Sequence, residues 1–184
     1  MINYDLVYEL QTETEEDIIQ HFFVSQGNAD IVKAIQYRRT GTYENKTVFN
    51  LGFGNYDVES DMIFDEDNSN NGDHYHVFNT VLSTIPHFFT RYPDDMIMIM
   101  GSDNHPDFPA TCRPGCTKNC PPGTCRNFRR RIRTYQGYVE KYWRELQEEY
   151  EFRGGSLTEE GTVEIANYVI GISYDAVLVF KRKS

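Results

Sequence analysis

No apolar run in this sequence approaches the roughly 18 to 20 residues that a membrane-spanning helix requires, so no membrane association is expected. The opening residues, Met1 to Leu10, carry no basic side chain and no long apolar core, and do not read as a secretion signal. The expectation is a soluble, cytoplasmic protein whose cysteines are reduced or bound to metal. Cysteine itself is scarce: four residues, all between Cys112 and Cys125. Positive charge is in the minority, with 18 Lys and Arg against 28 Asp and Glu and a formal net charge of −10. Long-range repulsion from so acidic a protein excludes one that binds nucleic acid over its whole surface. Also absent are the phosphate-binding P-loop, the protein-kinase motifs, the zinc-protease helix motif and any internal repeat.

What is present points to one globular α+β domain over residues 1–184. A chain of this length buries roughly 70% of its unfolded surface, so neither disulfide nor metal is obligatory for folding. With 13 Tyr and 12 Phe, the core is expected to be rich in aromatics. Alternation predicts strands over residues 4–10, 31–39 and 47–54, and a short apolar run over 18–24 reads as another, with a turn of helix as the competitor; the set is expected to be antiparallel. Turns are expected at Thr12 to Glu16, Ser25 to Asn28 and Thr40-Gly41-Thr42. Gly52 and Gly54 suggest a bulge or a close approach to the fourth strand. Residues 57–71 read as a loop with one short strand at Met62-Ile63-Phe64. Asp65, Asp67 and Ser69 superficially match an oxygen-ligand calcium loop, but the sixth position is Asn70 and the twelfth His76, and a solvated loop is the better reading.

From Asp73 to Tyr92 the period becomes helical, with Asn71 or Asp73 as cap and Pro86 expected to kink or split the helix. Met96 to Met100 is apolar throughout and reads as a buried central strand. Phe128, Ile132, Tyr135, Val139, Tyr142 and Leu146 then mark an amphipathic helix over 126–149. A short strand at Phe152, a turn at Arg153-Gly154-Gly155-Ser156, a loop or short helix over 157–165 and a strand over 174–181 close the chain. The fold class is therefore N-terminal antiparallel strands, then helix, central strand and helix, then C-terminal strands.

Two features carry chemistry. Cys112, Cys116, Cys120 and Cys125 lie among Pro114, Gly115, Pro121, Pro122 and Gly123, a composition that reads as irregular structure. Four thiolates so close can wrap one structural Zn²⁺, whose binding would supply ordering energy. The spacing lacks the Cys-x2-Cys knuckle of common zinc sites, so two disulfides, free thiols and an iron–sulfur role stay open, and His105 is a substitute ligand. The second feature is the helix start, where Arg126, Arg129, Arg130, Arg131 and Arg133 crowd together while Glu145, Glu148 and Glu149 crowd the end. Both trends oppose the helix dipole at about 0.3–1 kcal/mol per charge. The arginines either pair with surface acids or form an anion site with the helix-terminal N–H groups, joined by the Ser102 hydroxyl at the end of the apolar strand.

The chain also resembles a family of small uncharacterised bacterial proteins, common among Bacteroidetes. The carriers are the stretch from Val48 to Asp57, Asn70-Asn71-Gly72-Asp73 at a helix start, Tyr92-Pro93-Asp94, Gly101-Ser102, Arg131-Ile132-Arg133-Thr134-Tyr135-Gln136 and the stretch from Tyr174 to Val179. The resemblance implies that the Gly-Ser turn and the arginine helix form one module, and that the Cys-rich segment at about 103–125 is an insertion. It implies no activity. The leading expectation is a non-catalytic domain that binds an anionic group, in a nucleotide, nucleic acid or acidic partner, through Ser102, Arg126, Arg130, Arg131, Arg133 and Tyr135. The alternative is a small phosphodiester-acting enzyme, such as a toxin-like ribonuclease, using Arg131, Arg133 and Tyr135 for transition-state charge. Oligomeric state has no mark in the sequence.

Overall fold

In a computed structural model, residues 2–64, 71–116 and 118–183 are described, and they form a mixed α+β fold of nine strands and four α-helices. The chain divides into two compact units, Met1–Met98 with Phe180–Ser184, and Ile99–Val179.

The first unit is built on a meander. Strands β1 (Gln11–Thr14), β2 (Ile18–Gln26), β3 (Asp30–Tyr43) and β4 (Lys46–Asp57) pair in antiparallel order, and β5 (Met62–Phe64) pairs with the end of β4. Strands β2, β3 and β4 lie where strands were expected; β2 alternates, whereas Lys33, Ala34 and Ile35 of β3 and Val48 and Phe49 of β4 are buried in succession. Strand β6 (Met96–Met100) lies next to β4, with Met96 and Ile97 fully buried. Helix α1 (His74–Arg91) packs aromatics on aromatics: Phe88 stacks on Tyr37 at 4.8 Å and meets Phe49 edge-on at 5.2 Å. The Tyr37 hydroxyl is satisfied by Thr84 Oγ1 at 2.6 Å, as a buried phenol requires.

Several expectations in this unit are corrected. Residues 4–10 are not a strand. Tyr4–Leu6 form a 3-10 turn, capped by the Asn3 side chain, which accepts the Asp5 N–H. The alternating Tyr8 stacks on Phe23 at 5.5 Å, and its N–H donates to Thr80 Oγ1. The polar stretch expected to turn is β1, exposed along its whole length. A strand that packs no apolar face has no alternation to betray it. Thr40 to Thr42 do not turn either. Strand β3 runs past a register shift at Arg39/Gly41, and the chain reverses at Glu44 and Asn45, both at positive φ (48° and 61°). A two-residue loop of that form matches the twist of its strands. Pro86 neither ends nor splits α1. Asp73 precedes that helix without capping it. Its carboxylate instead accepts from Ser25 Oγ at 2.6 Å and the Tyr8 hydroxyl at 2.8 Å.

Asn71 is the clamp of this region. Its Oδ1 accepts the Ala29 N–H and its Nδ2 donates to the Ala29 carbonyl and Ser25 Oγ, each at 2.8 Å. It thereby ties the β2–β3 turn to the start of α1. The close approach expected near Gly54 is real: a Cβ there would come within 2.5 Å of the Phe64 carbonyl in β5. Of the calcium-like loop, residues 65–70 lie outside the described residues. Asp73 is engaged as above, and the His76 ring sits 5.4 Å from Tyr8.

The second unit holds a 3-10 turn at Ser102–Asn104, helix α2 (Phe108–Cys112), a 3-10 turn at Arg113–Gly115, helices α3 (Arg130–Lys141) and α4 (Trp143–Glu149), and strands β7 (Tyr150–Leu157), β8 (Val163–Asn167) and β9 (Ala176–Lys181). The last two residues of β9 belong to the first unit. The long helix expected over 126–149 is two helices, and it starts at Arg130. Residues 126–129 form a turn, and Arg129 adopts left-handed backbone (φ 57°). The break at Tyr142 lets Trp143 stack on Tyr168 at 5.4 Å and lean on Phe152 at 5.6 Å, packing that outweighs the unbroken apolar period. Gly154 and Gly155 are not a turn but lie inside β7, and β8 occupies the end of the expected loop. The Tyr174 ring lies against Gly154, and a Cβ on Gly155 would come within 2.7 Å of Val163. The Cys-rich segment is partly regular, because Pro109 and Pro114 sit in first helical turns, where the missing N–H costs nothing.

His21, buried on β2, supplies a pH test. Its pKa is lowered to about 4 by burial, with the charge of His87 adding to the effect. Above pH 6.5 the group is neutral whether the chain is folded or not. Below that the unfolded chain takes up the proton first, so stability falls as pH drops toward 4. We expect the wild type to lose about 1–2 kcal/mol between pH 7 and pH 5 through this group. Urea unfolding of His21→Gln should show a correspondingly shallower acid limb, and an unchanged limb would remove His21 as its cause.

Candidate functional site

Strand β6 ends at Met100, and the chain turns at once against the start of α3. Gly101 makes this possible: a Cβ there would strike Asp103 Oδ1 and lie 3.3 Å from Arg131 Cβ and the Ile132 nitrogen. Asp103 is buried, its Oδ2 accepts the Arg131 N–H at 2.9 Å, and its carbonyl accepts the Arg129 N–H at 3.0 Å. A carboxylate from a distant part of the chain thus takes one of the amides that the first turn of a helix leaves unpaired. On the other side of α3, Ile132 and Val139 are buried, and Gln136 donates to the Ile172 carbonyl at 3.1 Å.

The predicted site residues separate into groups. Ser102 and Arg131 come together: Arg131 Nη1 donates to Ser102 Oγ at 2.7 Å. Arg133 turns back on the 126–129 turn, donating to the carbonyls of Phe128 at 2.8 Å and Arg129 at 3.1 Å. Arg126 is exposed, and its backbone N–H donates to Cys120 Sγ at 3.3 Å. Arg130, at the first position of α3, is half-buried. Tyr135 is half-buried one turn beyond Arg131. Burial pushes its phenol pKa up, Arg131 opposes this and Asp103 reinforces it. One of the helix-terminal N–H groups that the anion reading relied on, that of Arg131, is occupied by Asp103.

Sequence reasoning missed the acidic and amide partners. Arg129 forms an ion pair with Asp175 at 2.9 Å and donates to the Tyr174 carbonyl at 2.8 Å. Asp175 also accepts the Leu157 N–H at 2.8 Å, and Asn104 donates to the Asp175 carbonyl. One sequence signal was available: residues 108–139 hold Arg113, Lys118, Arg126, Arg129, Arg130, Arg131 and Arg133 but no Asp or Glu. His105, next in sequence to this turn, faces Asp107 at 3.6 Å, whereas the Ser102 hydroxyl meets Arg131. A serine–histidine pair is not assembled here.

The four cysteines are brought together. All carry free thiols, and all line one cavity of about 180 Å³. Asn127 Nδ2 lies 3.4 Å from Cys112 Sγ and 3.9 Å from Cys116 Sγ. The Cys116 thiol is held below the ordinary range, first by the backbone N–H of Lys118 and then by Cys120 and Cys112. Cys112 is pushed up: the Asn127 amide lowers it, but burial and the neighbouring Cys125 and Cys116 outweigh that. Among the described residues no group of three or more His, Cys, Asp or Glu side chains is arranged to hold a metal ion. No helix of the described residues is long and apolar enough to cross a membrane.

Asp103 is the residue to test. Asp103→Ala should lower stability to denaturant by about 1–2 kcal/mol, the cost of losing a helix cap. Asp103→Asn, which keeps an acceptor, should lose less than half of that. Equal losses would show that the hydrogen bond to α3 is not what Asp103 contributes.

The chain belongs to a family of unknown function (DUF6934), whose sequence model matches residues 5–106. The match takes in β1 through β6 and the Gly101-Ser102-Asp103 turn, and ends before the cysteines and α3. Searches of curated proteins and of solved structures each found no match.

Proposed function

We propose that the protein is a non-catalytic binding domain for an anionic group, and that the group is the phosphate backbone of a nucleic-acid strand. The observation that carries this reading is the acid-free stretch 108–139, with seven cationic side chains in a chain of net charge −10. Around the start of α3, Arg126 and Arg133 are exposed and Arg130 and Arg131 half-buried. Guanidinium groups are suited to phosphate because their planar N–H donors match its oxygens. The acidic remainder of the protein would confine a polyanion to this face. In this reading the residues that contact ligand are Ser102, Arg126, Arg130, Arg131, Arg133 and Tyr135, on a single domain in which about 103–125 is an insertion. The setting in this reading is a bacterial cytoplasm.

Binding is favoured over cleavage because, around the start of α3, the Ser102 hydroxyl meets Arg131 and not a base, and His105 faces Asp107. Arg133 is hydrogen-bonded to backbone carbonyls, and the Tyr135 phenol has a raised pKa. The test is binding of a single-stranded RNA by fluorescence anisotropy across a salt series, with RNA integrity followed on gels. We expect salt-sensitive binding and intact RNA. Arg126→Ala/Arg130→Ala should bind roughly tenfold more weakly, with the salt slope reduced by roughly 0.7 for each lost contact. Wild-type affinity in that variant, or no binding at all, would overturn the reading. Cleavage that disappears in Arg133→Ala would replace it with a ribonuclease.

A further inference from the structure

Residues 110–125 have almost nothing to fold around. Among those described, every residue is exposed except Cys112, Cys116, Cys120 and Cys125, which are half-buried. Four prolines and glycines with described surroundings, Pro114, Pro121, Pro122 and Gly123, are exposed and supply no apolar interior. Among the residues described, the cysteines are thus the least exposed of the segment, and they line a common cavity with Arg113, Asn119 and Thr124. Thiols are weak hydrogen-bond donors and acceptors, so four of them facing one another do not by themselves hold such a segment.

Three of the four sulfurs are faced by N–H donors. Cys120 receives the Arg126 backbone N–H at 3.3 Å, and the Asn127 amide points at Cys112 and Cys116 at 3.4 and 3.9 Å. Such N–H donors stabilise negative sulfur and orient it, the part that outer-shell groups play around metal ligands. No Asp or Glu occurs from 108 to 139, and Arg113, Lys118 and Arg126 lie within or beside the segment.

We propose that Cys112, Cys116, Cys120 and Cys125 bind one Zn²⁺ as a tetrahedral four-thiolate structural site. Four thiols give up four protons, and the resulting centre carries a charge of −2, which the neighbouring cationic side chains offset. Because the side chains described here are not arranged to hold an ion, the segment tightens around the metal on binding, drawing the sulfurs to the roughly 2.3 Å that zinc–thiolate bonds require. Zinc here does not depend on anion binding by the arginines.

The test uses the full chain purified under reducing conditions. Elemental analysis should give about one zinc per chain. After removal of metal by a chelator, added Co²⁺ should produce the intense visible absorption of a tetrahedral cobalt–thiolate centre, and Zn²⁺ should abolish it. Cys120→Ser should lose both signals. Should that variant fold poorly, Asn127→Leu keeps all four ligands and should weaken zinc roughly 10–100-fold in competition with a chelator. Less than about half an equivalent of zinc together with no cobalt spectrum would overturn the proposal. So would iron in place of zinc, or four sulfurs found oxidised as two disulfides in metal-free protein.

Discussion

The second unit depends on one buried carboxylate. Asp103 fixes the start of α3 with its side chain and the preceding turn with its carbonyl, through the Arg131 and Arg129 amides. Its neighbour Asn104 reaches the carbonyl of Asp175, and Arg129 reaches the Asp175 carboxylate. The Cys-rich segment departs just after Asn104 and returns just before Arg129. Its two ends are therefore held by one polar network. Closing a loop costs entropy that grows only slowly with its length. With its ends already joined, the segment can be long and lack an apolar core without unsettling the helix behind it.

The same carboxylate explains how an arginine-rich helix start is tolerated. Cations there oppose the helix dipole at about 0.3–1 kcal/mol each. Asp103 places negative charge where the dipole favours it, Arg129 has left the helix through its left-handed backbone, and Arg133 bends back to carbonyls of the turn. The crowding seen in the sequence is reduced in the fold, because those side chains have partners of the right sign or polarity. Arg126 and Arg130, whose side chains have no such assigned role, are the ones best placed for an external anion.

Much of this was legible in the residues. Alternation located β3 and β4, apolar runs located β2 and β6, and the helical period located α1 and the buried face of α3 at Ile132 and Val139. Ser102 and Arg131, two of the residues expected to share an anion site, are in contact. The part played by Asp103 was not legible, because it rests on a bond spanning 28 positions, and an acid next to a serine has many other uses. Gly154 and Gly155 were misread because glycine serves turns and close approaches alike, and only the position of Tyr174 and Val163 decides between them. β1 was missed because a wholly exposed strand leaves no apolar pattern. The break at Tyr142 is set by where the Trp143 ring packs, which a periodic pattern does not contain.

Arg126 stands where the two halves of the functional reading meet. Its N–H donates to Cys120 and its side chain is exposed at the edge of the cationic face. If the four thiolates hold zinc, a centre of charge −2 lies one hydrogen bond from its backbone and attracts its guanidinium. A guanidinium already drawn to that centre gains less from an external phosphate than one without such a neighbour, since a single cation's field is shared between two anions. Arg130, separated from the cysteines by the 126–129 turn and carried on α3 itself, has no such competitor in the segment. If both proposals hold, the metal centre and the ligand compete for Arg126 but not for Arg130, and with zinc bound Arg126 would contribute less than Arg130 to holding an external phosphate.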